Sequence, residues 1–190
     1  MDSLRVAWSW FALLALTSIA VAAGACREID TAVFDVVQSV RAPALDLAAS
    51  IISVFGQTGL TIAVALAIAV LRFRAYPRAA LIPLFIFATL AFEAALKLLI
   101  PEAPPPHERS RGVDLVPFIH SPFASSFPSG HVARFAFLVR IVDPIPTWVL
   151  GVGIVVMALT RIYLGEHWLS DTIGGAILGL GVANAARTLR

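Results

Sequence analysis

Five ionisable side chains stand where short turns meet apolar runs: Lys97, His131, Arg161, His167 and Asp171. His167 and Asp171 are four residues apart, hence on one face of a helix. The carboxylate can then accept a hydrogen bond from one imidazole nitrogen, fix the tautomer and leave the other nitrogen free. A histidine nucleophile with an orienting acid needs this arrangement. Arg161 supplies a planar fork suited to phosphate oxygens. Pro128-Ser129-Gly130-His131 opens another apolar run, where free backbone amides and the positive end of a helix favour an anion. Ser129 adds a hydroxyl donor, Gly130 permits close backbone approach, and His131 adds a titratable group. Each feature alone has a plainer reading: a His–Asp helix pair, an arginine snorkelling to headgroups, a common turn. Lys97 likewise has Glu93 one turn earlier as a possible ion-pair partner. No histidine or carboxylate cluster offers a third and fourth metal ligand, so neither metal nor cofactor is expected.

The elements that must position these residues are apolar. The chain has 190 residues, enough for one domain over 1–190, of which 59% are hydrophobic and 14% charged, with mean hydropathy +0.88. A soluble fold of this size has too little interior to hide so much apolar surface. Lipid must be part of the solvent, and ionisable groups there are costly enough that a functional site is their default reading. A net charge of +2 with scattered arginines argues against nucleic-acid binding. Cys26 is the only cysteine, which excludes an internal disulfide.

Apolar runs at 4–25, 59–73, 79–100, 131 to the Asp143-Pro144 break, 147–163 and 168–189 predict an all-α polytopic membrane protein with six transmembrane helices. The first run is read as an uncleaved span rather than a signal peptide, despite Ala23-Gly24-Ala25 before Cys26. Residues 27–58 carry apolar positions at helical spacing among Asp30, Asp35 and Gln38, which predicts amphipathic interfacial helices broken at Pro43. A proline-rich polar loop follows the third span, and residues 101–130 carry part of the site together with Arg109, Arg111 and Asp114. Arg5, Arg72, Arg74, Arg78, Arg187 and Arg190 fall on one side of six spans, which should be cytoplasmic. The site and the amphipathic helices then face outward from the cell membrane.

With these motifs in place, the chain resembles the type 2 phosphatidic acid phosphatases, also called lipid phosphate phosphatases. Pro128-Ser129-Gly130-His131 matches the family's second motif. Thr160-Arg161, His167 and Asp171 match the third in spacing, with threonine in place of serine. The first motif begins at Lys97, but Pro104 and Pro105 stand where the family has arginine and proline.

The resemblance implies that His167 attacks phosphorus while Asp171 holds its ring. It implies that His131 protonates the leaving oxygen and then activates water. Lys97, Arg161, Ser129 and the Gly130 amide would bind the non-bridging oxygens. For the missing arginine, Arg134 is the expected replacement, one turn after His131, with Arg109 and Arg111 as rivals and Glu93 as its competing ion-pair partner. The implied partners are a lipid phosphate substrate and membrane lipids. An outward site suits undecaprenyl diphosphate; phosphatidylglycerol phosphate, phosphatidate and other polyprenyl phosphates are open too. A lipid phosphotransferase, or a non-hydrolytic transporter or scramblase, is the alternative.

Overall fold

A computed structural model describes residues 2–113, 115, 123–142 and 144–189. Asp114, Asp143 and Arg190, named above, lie outside the described residues, as do 116–122 of the polar loop. Eight α-helices and no strand occur among the described residues: α1 (Asp2–Ala22), α2 (Arg27–Ser39), α3 (Pro43–Val54), α4 (Thr58–Phe73), α5 (Ile86–Leu99), α6 (Gly130–Ile141), α7 (Thr147–Tyr163) and α8 (Leu169–Ala186). A 3-10 stretch, Ala79–Phe85, runs into α5 and contains Pro83, whose missing N–H is tolerated where the regular helix has not begun.

Three helical stretches are long and apolar enough to cross a membrane: Arg5–Ala22, Ala79–Leu99 and Leu169–Leu189. A fourth is counted if α3 and α4, bent by 42° at their junction, form one span. The chain is thus an integral membrane protein. The expected fourth and fifth spans are short, 12 residues in α6 and 17 in α7, against roughly 20 for a spanning helix. For α6 the reason lies in its surroundings. Val132, Ala133, Ala136, Phe137 and Ile141 are all fully buried, so protein rather than lipid covers it.

α8 packs along both α6 and α1, and glycine sets how closely. A Cβ at Gly175 would overlap the Ser129 carbonyl, and one at Gly179 the Ala133 carbonyl. Without side chains there, α8 lies directly on the α6 backbone, as small residues allow between membrane helices. Phe137, Ile141, Leu178 and Val182 fill the seam below.

The amphipathic pattern of α2 is present, with its polar face turned inward. Asp30, Phe34 and Gln38, spaced by four, are buried, whereas Ile29, Val36 and Val40 are exposed. Gln38 donates to the Tyr163 carbonyl at 2.7 Å, and α3 adds a Tyr163 hydroxyl bond to Asp46 at 2.6 Å. These two helices therefore roof the end of the bundle where α7 stops and α6 and α8 begin. At the opposite end, Arg72 donates to the Ile141 carbonyl at 3.4 Å and Arg187 to the Arg140 carbonyl at 2.7 Å.

Candidate active site

The two matched motifs meet through main chain. The Ser129 N–H donates to the Asp171 carbonyl at 2.9 Å, which sets the start of α6 against the start of α8. Ser129 occupies the N-cap position of α6, yet its hydroxyl makes no capping bond. That hydroxyl is buried without a partner, as are His131 Nε2, Arg161 Nε and Asp171 Oδ1. Buried polar atoms are nearly always paired, and the gathering of four unpartnered ones on matched motif residues makes this bundle end the candidate site.

His167 lies in the turn between α7 and α8, where Gly165 takes φ +78°, a conformation glycine adopts without strain. Its Nδ1 is 3.2 Å from Asp171 Oδ2. The Trp168 N–H donates to the same oxygen at 2.9 Å, and Asp171 is fully buried. With Nδ1–H donating to the carboxylate, the Nε2 lone pair of His167 is free. Burial pushes the His167 imidazole below its ordinary pKa, against the upward pull of the Asp171 hydrogen bond and charge. The charges of Arg161 and Lys97 also reach His167.

Lys97, at the end of α5, spends two ammonium protons on the polar loop. Its Nζ donates to the carbonyls of Ser125 at 3.0 Å and Ser126 at 2.9 Å. Its third proton remains for an anion. Glu93, the partner weighed for it, instead pairs with Arg134.

Arg134 is placed differently from its expected reach toward phosphate. Nη1 bonds the Glu93 carboxylate and Nε donates to the Gly56 carbonyl at 3.1 Å. Arg134 is buried and Glu93 on α5 half-buried, and each supplies the other's counter-charge. The same carboxylate abuts Gly130, where a Cβ would overlap it. Gly130 leaves room for this ion pair, and a Cβ there would push the ends of the Glu93 and Arg134 side chains aside. The rival arginines sit on α2: Arg109 pairs with Asp35 at 2.8 Å, and Arg111 donates to Gln38 Oε1 and its carbonyl, both at 2.6 Å.

Three contributors lie outside the sequence motifs. Ser53 accepts a hydrogen bond from Arg161 Nη1 at 2.5 Å. Gly56, between α3 and α4, lies against His131; a Cβ there would fall 2.8 Å from the His131 Cβ. Asp30 accepts from the Ser170 N–H and hydroxyl, each at 2.7 Å, pinning α2 to the first turn of α8. The Gly56-Gln57-Thr58-Gly59 break was visible in the sequence, but nothing in it ties a serine or an aspartate to partners more than a hundred residues away.

Comparison with known proteins gives four matches. A family profile described as the PAP2 superfamily matches residues 78–190. An undecaprenyl-diphosphatase from Sulfolobus acidocaldarius is 38% identical over 58 residues. That match spans 28% of this chain and 28% of that protein. In fold, the chain is similar to the crystal structure of a transmembrane PAP2-type phosphatidylglycerolphosphate phosphatase from Bacillus subtilis. The TM-score is 0.77 at 23% identity, covering 96% of this chain and 94% of that one. It is also similar to Aquifex aeolicus LpxE, with TM-score 0.65 at 18% identity over 84% of this chain and 95% of that one.

Proposed function

The chain belongs to the PAP2 superfamily, and on that footing we propose that it is a metal-independent lipid phosphate or diphosphate phosphatase working through a phosphohistidine. The observation that carries this reading is the set of buried, unpartnered Ser129 Oγ, His131 Nε2 and Arg161 Nε, in the same bundle end as a His167 whose Nδ1 is held by Asp171. His167 Nε2 attacks phosphorus as the bond to the leaving lipid or phosphate oxygen breaks. His131 gives that oxygen its proton. Water then attacks the phosphohistidine, His131 takes the water's proton, the P–N bond breaks and phosphate leaves. Lys97, Arg161, Ser129 and the Gly130 amide carry the charge on the non-bridging oxygens. Arg134 contributes its charge beside Gly130 and His131, with Nη1 on Glu93 and Nε on the Gly56 carbonyl.

The proposed topology is six spans, with α6 and α7 as short, protein-enclosed ones. Arg72, Arg140 and Arg187 gather at the bundle end away from the site, so that end is cytoplasmic by the distribution of arginines and the site faces outward. There α2 lies in the interface with Ile29, Val36 and Val40 toward lipid. Among substrates, a polyprenyl diphosphate such as undecaprenyl diphosphate draws support from the Sulfolobus relative, and a phospholipid phosphate from the Bacillus fold match.

Purified protein in detergent, given a panel of these lipid phosphates with and without a chelator, tests the reading. Free phosphate unaffected by chelation is expected. Phosphate on an acceptor lipid would make it a transferase. Absence of turnover would favour the transport alternative, which Pro104 in place of a phosphate-binding arginine allows.

A further inference from the structure

We propose that Ser53, on α3 and outside every matched motif, is a positioning residue that selects which edge of Arg161 meets phosphate. This rests on the anion site proposed above and adds the geometry of its arginine. A guanidinium can grip an oxyanion through its side edge, Nε with Nη2, or through its end, Nη1 with Nη2.

In this site the end is already committed. Nη1 donates to Ser53 Oγ at 2.5 Å. Nε is buried and unpartnered. Nη2 lies 3.6 Å from Glu166 Oε2, beyond a normal hydrogen bond. The side edge is thus the one left for phosphate. Glu166 is the more exposed of that pair, at 38% against 9% for the Arg161 side chain, and Ser110 holds its other oxygen at 2.6 Å. It can yield Nη2 to an arriving anion without stranding a buried charge.

The anchor on Nη1 is not exchangeable in that way. Ser53 is 2% exposed, so water cannot replace its hydroxyl. Its carbonyl accepts the Gly56 N–H at 3.0 Å, and Gly56 in turn touches His131 and binds Arg134. One turn of backbone between α3 and α4 therefore sets the angle of the phosphate-binding arginine relative to the histidine that moves the proton.

The test uses the full chain in detergent and orthovanadate, a phosphate analogue that can become five-coordinate at a nucleophile, as the probe for binding, with phosphate release measured in parallel. Ser53→Ala should weaken vanadate binding about 10- to 100-fold, the range for a hydrogen bond to a charged group, and lower kcat/KM by the same factor. Ser53→Thr, which keeps the hydroxyl, should restore both to within a few fold. Asp46→Ala removes the bond from α3 to Tyr163 but not the one to Arg161, and should leave vanadate affinity within about twofold whatever it does to the melting temperature. Wild-type vanadate affinity in Ser53→Ala, or an equal loss in Asp46→Ala, would overturn the proposal. If the wild type binds vanadate but releases no phosphate, the phosphatase reading falls and the positioning role stands; if it does not bind vanadate, both fall.

Discussion

At His167 the division of labour between two ring nitrogens is fixed by one carboxylate. Asp171 Oδ2 takes Nδ1 at 3.2 Å and the Trp168 N–H at 2.9 Å, leaving Nε2 for attack. His167→Ala should abolish turnover in a folded protein, and quenching in alkaline denaturant, which spares the acid-labile P–N bond, should trap phosphohistidine in the wild type only; retention of more than a few per cent of activity would reject the nucleophile. Burial holds the His167 pKa below the ordinary histidine value, so the ring stays neutral to below about pH 6.5. The acid limb of kcat/KM should therefore lie below that pH. Asp171→Asn should cut kcat by roughly ten-thousandfold, as mis-set tautomers do, and shift the limb further down because the upward pull of the carboxylate is gone. A pH–rate profile checks both, and an upward shift would refute the assignment. The stability consequence has the same sign. A folded pKa below the unfolded one means that stability is full above about pH 6.5 and declines as pH falls through that value.

At the scale of elements, α5 and α6 are joined by a charge pair. The side chain of Arg134 is 4% exposed and that of its partner Glu93 13%. Arg134→Ala would leave that half-buried carboxylate alone, a cost of up to about 3–5 kcal/mol, the range for breaking a fully buried pair. Thermal unfolding in detergent should show a large loss for Arg134→Ala and a much smaller one for the double variant Arg134→Met/Glu93→Leu. An unchanged melting temperature with a large loss of rate would instead support a direct phosphate contact from Arg134. The contrast shows what the sequence could carry. Helical spacing in α2, the break before α4 and the spacing of Arg161, His167 and Asp171 are local signals, and all three are legible. Which partner a buried arginine takes depends on helices 41 residues apart. Periodicity also could not say that α2 buries Asp30 and Gln38 while leaving Ile29 and Val36 outside, because a helix in lipid can hide either face. Nor could hydropathy distinguish α6, enclosed by protein, from a helix bathed in lipid.

For the whole molecule, the two ends of the bundle differ in chemistry. Motif residues gather at one, and Arg72, Arg140 and Arg187 at the other. Glu108, exposed in the polar loop, lies on the motif side. In a Cys26→Ser background, Glu108→Cys should react with a membrane-impermeant thiol reagent on intact cells; labelling only after permeabilisation would invert the topology. The contact of α8 with α6 has a separate consequence. Register there is set by Gly175 and Gly179 on bare carbonyls and by the Ser129 N–H on Asp171, that is, by atoms every residue type shares. Side chains around this seam can drift without moving the seam itself, whereas adding a single methyl group at either glycine would displace a whole helix. Sequence identity to fold relatives can then sink to 18–23%. The least substitutable positions of this architecture are those at which there is no side chain to compare.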